Sequence, residues 1–141
     1  TLNKLSKGEF VCEYAGEILT KSEAIKRDKE NHELMKMNYI FCLNEISTKS
    51  SDKIQTFIDP RRKGNIGRYL NHSCDPNCHI LSVRSDSIIP KLSIFTNRDI
   101  NAHEELTFSY GSEINFLSNS LKACFCKSEN CKKFLPNISY E

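Results

Sequence analysis

Residues 64–77 read Gly-Asn-Ile-Gly-Arg-Tyr-Leu-Asn-His-Ser-Cys-Asp-Pro-Asn and occupy the middle of the least regular segment of the chain, Asp59–Cys78. Gly64, Gly67 and Pro76 interrupt any helix or strand pattern there. A segment this long without regular structure is uncommon in a compact domain, and such segments often carry function. Its polar residues include Arg61, Arg62, Lys63, Arg68, Asn71, His72, Ser73 and Cys74. This composition fits a binding loop and a solvated surface loop equally well.

Short apolar and β-branched runs flank this segment on both sides. They predict six strands, at Phe10–Tyr14, Tyr39–Leu43, Ile54–Ile58, Ile80–Val83, Leu92–Thr96 and Glu105–Tyr110. One helix is predicted from Lys21 to about Lys36, because Thr20 and Glu23 have the spacing of a capping box. Its charged interior indicates a surface helix, and the polar stretch 47–53 indicates a hairpin or loop. The predicted fold class is mainly β.

Length and charge narrow the classes of function. The 141 residues fit one domain. The 20 basic and 18 acidic residues nearly cancel, so direct nucleic-acid binding is not indicated by bulk charge. No stretch approaches the roughly 18 to 20 apolar residues of a membrane span, and no secretory signal is visible near the start. Because the chain begins at Thr1, we expect a fragment or a processed piece.

Seven cysteines form an odd set, which argues against a fully paired disulfide framework. A secreted module remains an alternative, because Asn71-His72-Ser73 and Asn137-Ile138-Ser139 both match the glycosylation sequon. Reduced thiols in the nucleus or cytosol, some of them on a metal, fit the odd count better.

Cys124, Cys126 and Cys131 stand close enough in sequence to converge on one ion. Tetrahedral zinc accepts thiolates, and this spacing favours zinc over ordinary core cysteines. A structural zinc site usually has four protein ligands, so one more ligand is needed. The sequence leaves four candidates for it: Cys12, Cys42, Cys74 and Cys78.

Three motifs together resemble a known family. Residues 64–77 resemble the signature of the SET-domain histone-lysine methyltransferases, residues 104–111 (Glu-Glu-Leu-Thr-Phe-Ser-Tyr-Gly) resemble their second signature, and 124–131 resemble the post-SET zinc module. The order and spacing match, and the motifs extend over nearly the whole chain. Within the family the run 83–92 most resembles the group fused to a mariner transposase, with Su(var)-type enzymes as relatives.

The resemblance implies a SET-domain fold of short strands, in which a threaded C-terminal segment forms a pseudoknot and Asn71-His72 lies beside residues 106–110. It divides the chain into a SET domain at residues 1–118, lacking its first Gly-x-Gly strand, and a post-SET zinc module at 119–141. It nominates Cys74 as the fourth zinc ligand. It also implies S-adenosylmethionine as the cofactor, the histone H3 tail as the partner, no membrane association, and a place in the nucleus on chromosomes.

Residue roles follow from matching motif positions. Tyr110 matches the catalytic tyrosine, Tyr14 a second active-site tyrosine, and Phe108 the position that helps set product multiplicity, which points to di- or trimethylation. Methyl transfer is an in-line displacement in which the protein supplies orientation and electrostatics. The positions expected to contact the cofactor are Asn71, His72, Arg68 and Tyr39, and Phe134 is expected to close the lysine channel.

Two departures from the family pattern affect this interpretation. Ser109 stands where the family usually has aspartate, and the strand with the Gly-x-Gly motif is missing before Phe10. The alternative is therefore a catalytically dead, zinc-stabilised module that holds chromatin peptides. We also expect Glu13, Glu17, Glu104 and Glu105 to flank a groove for a basic histone tail or to be ordinary surface charge.

Overall fold

The computed structural model describes residues 1–34, 37–47, 51–111, 121–138 and 140. Its strands are β1 (Phe10–Glu13), β2 (Glu17–Leu19), β3 (Phe41–Ile46), β4 (Lys53–Asp59), β5 (Asn71–His72), β6 (Cys78–Val83), β7 (Lys91–Thr96) and β8 (Thr107–Phe108). The helix α1 spans Lys21–Glu33, and a 3-10 helix spans Ile66–Tyr69. The predicted class, mainly β with one short helix, is confirmed. Neither described helix has the length and hydropathy to cross a bilayer.

The strands form three small sheets. The first has the order β1-β7-β6 and the second β2-β4-β3, and both are antiparallel. The third is the parallel pair β5-β8. The main core lies where they meet, and its buried members are Tyr14, Ile58, Cys78, Leu92, Ile94, Ile100 and Phe108. Burying each large apolar side chain stabilises the fold by roughly 1.5 to 3 kcal/mol.

The β5-β8 pair joins the two signature segments. Asn71 lies opposite Thr107, and His72 lies opposite Phe108. This confirms that the two segments lie side by side, which is the contact that the expected pseudoknot requires. The pairing is shorter than the predicted strand Glu105–Tyr110, because a side chain takes a backbone group just beyond it: His72 Nδ1 accepts from the N–H of Tyr110.

The strand β3 begins two residues later than predicted. The Asn38 side chain accepts from the N–H of Ile40 at 3.1 Å, and the carbonyl of Tyr39 accepts from the Tyr14 hydroxyl at 2.6 Å. These bonds use backbone groups that a ladder would need, so the regular pairing with β4 starts at Phe41. β2 and β5 were not predicted, since two or three residues give no readable periodicity.

The helix α1 begins as predicted, because the Thr20 hydroxyl accepts from the N–H of Glu23 at 3.3 Å. It ends at Glu33, and the remainder of its predicted range, residues 35 and 36, lies outside the described residues. Only Ala24 and Asn31 are buried, so the prediction of a surface helix is confirmed. Residues 48–50 of the predicted loop 47–53 and the end of the second sequon, Ser139, also lie outside the described residues.

Gly67 allows the 3-10 helix to approach β1. A Cβ at this position would lie 2.7 Å from the carbonyl oxygen of Glu13 and 3.2 Å from the Cα of Tyr14. Asn65 Nδ2 donates to the same Glu13 carbonyl at 2.7 Å. The close approach brings Arg68, the next residue, to the same cavity wall as Tyr14.

Candidate active site and metal centre

A cavity of about 520 Å³ lies between α1, the C-terminal tail and the aromatic side of the main core. Its lining comprises Tyr14, Ile25, Asp28, Lys29, His32, Met37, Asn38, Tyr39, Ile40, Phe41, Arg68, Phe108, Tyr110, Lys122, Leu135, Pro136, Asn137, Ile138 and Tyr140. Five of the residues predicted from the motifs line it: Tyr14, Tyr39, Arg68, Phe108 and Tyr110. Its volume is that of a typical small-molecule site.

Phe108 is the centre of an aromatic wall. Only 1% of it is exposed, and its ring centroid lies 5.0 Å from that of Tyr110 and 5.8 Å from that of Tyr14. Phe41 adds a fourth ring at 6.2 Å. These spacings are those of tilted and edge-to-face aromatic pairs, which hold each ring in a fixed orientation.

Two tyrosine hydroxyls are oriented by backbone carbonyls. The Tyr110 hydroxyl donates to the carbonyl of Leu70 at 2.8 Å, and the Tyr14 hydroxyl donates to the carbonyl of Tyr39 at 2.6 Å. Burial, with a smaller contribution from Tyr39, raises the pKa of Tyr110 to about 12, and burial raises the pKa of Tyr14 as well. Both hydroxyls therefore stay protonated at neutral pH. Since each proton is already donated, each oxygen is left as an acceptor.

Arg68 is held from behind by its own loop. One guanidinium nitrogen donates to the carbonyls of Pro60 at 3.2 Å and Arg61 at 3.3 Å, and the other donates to the Tyr69 hydroxyl at 2.6 Å. The side chain thus presents a fixed positive charge at the cavity wall.

The side chains of Asn71 and His72 face protein partners behind this wall. Asn71 Nδ2 donates to Glu105 Oε1 at 2.7 Å. His72 Nδ1 accepts from the N–H of Tyr110 at 3.1 Å, and its Nε2 lies 3.4 Å from Cys74 Sγ. Burial lowers the pKa of His72, which keeps it in the neutral form that can accept this bond. His72 therefore links Tyr110 to a cysteine, a connection that the sequence does not reveal.

Four thiols converge beside His72. The ligand atoms of Cys74, Cys124, Cys126 and Cys131 all lie within 4.8 Å of one another, and the sulfurs of Cys74 and Cys124 are 3.8 Å apart. A tetrahedral zinc with bonds of about 2.3 Å places its sulfurs about 3.8 Å apart, so the cluster has the dimensions of a zinc site. The other three cysteines lie on the strands β1, β3 and β6, away from this cluster.

Backbone amides surround the thiols. The N–H groups of Cys74, Lys132 and Lys133 each donate to a cluster sulfur at 3.4 Å. The N–H of Cys74 and the Ser128 hydroxyl lower the pKa of Cys126, whereas burial raises that of Cys124. Donors aimed at sulfur stabilise thiolates, the form in which cysteine binds metals. All seven cysteines are free thiols.

The tail crosses the cavity after the cluster. Phe134 forms an isolated bridge with Ala123, and the next residues, Leu135 and Pro136, line the cavity. Tyr140 stacks on Phe57 with ring centroids 5.6 Å apart. Motif matching identified only Phe134 in this tail. It missed Leu135, Pro136 and Tyr140, and it missed the residues of α1 on the opposite wall, Asp28, Lys29 and His32.

A second depression, which we call the groove, lies beyond Phe41. It has a volume of about 430 Å³ and is lined by Phe41, Leu43, Pro76, Cys78, His79, Ile80, Asn97, Ser109, Gly111 and Lys132. Phe41 lines both spaces, so the groove and the cavity share one wall. β3 is an edge strand, paired only with β4 among the described residues, and it supplies two residues to the groove.

Three of the four glutamates considered as a flank for a basic peptide or as surface charge have protein partners. The carboxylates of Glu17, Glu104 and Glu105 bind Arg27, Arg98 and Asn71 respectively, and none of the four glutamates considered, including Glu13, is among the described residues that line the groove.

Comparisons with known protein families and sequences agree on one family. The SET domain family profile matches residues 1–111. A probable histone-lysine N-methyltransferase of Caenorhabditis briggsae, set-23, is 48% identical over 129 residues, which cover 91% of this chain and 51% of that protein. The chain spans about half the length of this relative and of two others that it matches.

Two solved structures agree. The methyltransferase domain of human histone-lysine N-methyltransferase SETMAR matches with a TM-score of 0.82 and 39% identity, over 96% of this chain and 52% of that one. Arabidopsis thaliana SUVH6, solved in complex with S-adenosylmethionine (SAM), matches with a TM-score of 0.75 and 30% identity, over 93% of this chain and 29% of that one.

Proposed function

The chain belongs to the SET-domain family, and from this premise we propose that the protein is a SAM-dependent protein-lysine N-methyltransferase acting on chromatin in the nucleus. The observation that carries the proposal is the wall of Tyr14, Phe41, Phe108 and Tyr110 along the cavity, of which Phe41 also lines the groove. An in-line displacement needs two reactants that meet at one place, and the two spaces adjoin each other at Phe41.

The cavity fits the cofactor. Its volume of about 520 Å³ and its mixture of aromatic, charged and amide side chains suit an adenosyl group with an amino-acid tail. Arg68 and Tyr39 would hold the cofactor from the cavity wall, with the Asn71-His72 segment fixing that wall from behind. Bound SAM supplies an electrophilic methyl group on a sulfonium.

The aromatic wall would receive the substrate lysine in its neutral form. Removing the proton of a lysine with a pKa near 10.4 costs about 4.6 kcal/mol at pH 7. A narrow apolar channel keeps water from the ammonium, and this desolvation disfavours the charged form and so reduces the cost. The Tyr110 oxygen, whose proton is donated to Leu70, would accept from the amine N–H and aim its lone pair. With its pKa raised to about 12, Tyr110 acts by orientation and not as a base.

Phe108 would determine how many methyl groups are added. It is buried at the centre of the wall and carries no hydroxyl that could hold a water or restrain a methylated amine. We therefore assign di- or trimethylation to this site.

The thiol cluster would bind a structural zinc through Cys74, Cys124, Cys126 and Cys131. The sulfur spacing and the three amide donors support this assignment. Zinc would fix the tail over the cavity and, through His72, hold the backbone of Tyr110. Metal binding and completion of the site would then be one event.

The groove would bind the substrate peptide, which we assign to a histone tail, with H3 as the first candidate. The unpaired edge of β3 offers backbone hydrogen bonds to an extended peptide. The relatives' names, histone-lysine N-methyltransferases, support a histone substrate.

A methyl-transfer assay tests the proposal. The full-length protein, radiolabelled SAM and a set of H3 peptides should give labelled peptide, and Tyr110→Phe should lower the rate by at least about tenfold because the acceptor oxygen is lost. Ser85→Ala is the control, because it removes an exposed hydroxyl from a residue that lines neither the cavity nor the groove. Equal rates for Tyr110→Phe and the wild type would refute the site assignment. Peptide binding without any turnover would favour the peptide-binding module instead.

A further inference from the structure

The charge of the groove is unusual for a surface that receives a basic peptide. Its ten lining residues are mainly apolar or neutral, and the described residues among them include no carboxylate. The nitrogen-bearing basic side chains are His79 and Lys132. Lys132 is exposed, and no described carboxylate forms an ion pair with it.

Two carboxylates of the neighbouring elements have partners other than Lys132. Glu104 accepts hydrogen bonds from Arg98 and from Asn77 Nδ2 at 3.0 Å. Glu45 binds Arg84 at 2.6 and 2.9 Å.

The backbone of Lys132 has a fixed position relative to the reaction site. Its N–H donates to Cys74 Sγ, and this sulfur lies beside His72 Nε2. The other ring nitrogen of His72 accepts from the N–H of Tyr110. An extended peptide advances about 3.3 Å per residue, so side chains within two positions lie within about 7 Å of the target lysine along the chain. Lys132 lines the same groove as Phe41, a ring of the aromatic wall, so a substrate side chain in this range would come near Lys132.

We propose that the groove selects peptides with an acidic side chain (aspartate, glutamate or a phosphorylated serine or threonine) within two residues of the target lysine, and that Lys132 reads it. This inference rests on the proposed function. Opposite charges at an exposed site attract modestly and like charges repel by a similar amount. At low salt, a peptide with glutamate at that position should have a kcat/KM about three- to tenfold higher than the same peptide with lysine there.

The experiment uses the full-length protein and peptides that differ only by Glu, Gln or Lys, placed in turn at each of the two positions on either side of the target. At one or more of these positions the wild type should prefer Glu over Gln over Lys, and 0.5 M salt should shrink the preference because it screens exposed charges. Lys132→Gln should reduce the preference to less than twofold, and Lys132→Arg should keep it. Lys133→Gln is the matched control, since it removes the same charge one residue away from a side chain outside the groove lining. Zinc content is measured in every variant.

The outcomes separate the two proposals. Methylation that is independent of flanking charge at all four positions, or a preference that survives in Lys132→Gln, overturns the inference and leaves the enzyme assignment intact. No methylation of any peptide overturns the proposed function. In that case the affinities of the same peptides, measured by fluorescence anisotropy, decide the charge preference: a Glu preference lost in Lys132→Gln supports it, and equal affinities refute it.

Discussion

Replacing Arg27 with methionine should lower the free energy of unfolding by about 3 to 5 kcal/mol. The guanidinium of Arg27 binds three carboxylates: Asp59 at 2.9 Å, Glu17 at 3.0 Å and Glu23 at 2.9 Å. These contacts tie α1 to β2 and to the end of β4. Asp59 is the critical partner, because its side chain is 1% exposed and that of Arg27 only 12%.

The magnitude follows from what the variant leaves behind. Without Arg27 the Asp59 carboxylate is buried with only the N–H of Arg61, at 2.9 Å, as a described hydrogen-bond donor. Breaking a buried pair typically costs 3 to 5 kcal/mol, because the remaining charge is uncompensated. A loss of this size is equivalent to a Tm about 10 to 20 °C lower.

Thermal unfolding followed by circular dichroism measures this loss. Lys26→Met is the control, because Lys26 is exposed on the same helix and its loss should change stability by less than about 0.5 kcal/mol. A Tm for Arg27→Met within about 2 °C of the wild type would show that the cluster does not hold α1 against the sheet.

Three further outcomes are expected. Chelation of zinc should abolish methyl transfer and lower the Tm, and added zinc should restore both. Unchanged activity of protein shown by metal analysis to be metal-free would contradict the link through His72. Phe108→Tyr should shift the products towards monomethyllysine in mass spectra, because the new hydroxyl restrains the amine, and an unchanged product distribution would contradict the role of Phe108. Hydrogen bonds from Arg98 and Asn77 hold the pKa of Glu104 at about 2, so its contribution is present above about pH 4.5 and is lost as the pH falls towards 2. Glu104→Gln should therefore flatten the loss of stability over that range, and an unaltered acid transition would refute this contribution.

The sequence predicted the elements that have a local cause. Strand centres follow apolar alternation, and α1 starts at Thr20 because the cap is a contact between neighbours. The close spacing of Cys124, Cys126 and Cys131 predicted the tail cluster. The fourth member, Cys74, was predicted from the family resemblance and not from spacing. Such features need no knowledge of the rest of the fold.

Features that depend on distant contacts were not predictable. Tyr110 falls outside β8 although it suits a strand, because the side chain of His72 takes its backbone N–H. The side-chain partners of Asn71 and His72, which are Glu105, Tyr110 and Cys74, are likewise distant in sequence or set by the fold, whereas the expected contact of the two residues with the cofactor stays a prediction. No local pattern encodes the direction in which such a side chain points.

The irregular loop 59–78 can make contacts in several directions because it has no regular secondary structure over most of its length. A pair of two-residue strands, β5 and β8, would be weak by itself. The loop strengthens it by holding Tyr110 at both ends: Leu70 accepts from its hydroxyl, and the ring of His72 accepts from its N–H. His72 in turn lies against Cys74, two residues farther along the same loop. A regular strand would direct alternate side chains to one face and could not also supply a carbonyl to the hydroxyl and a sulfur to the tail cluster. Orientation of the tyrosine and closure of the tail therefore depend on one short stretch of chain, and a change in the metal cluster should reach the hydroxyl through two side chains.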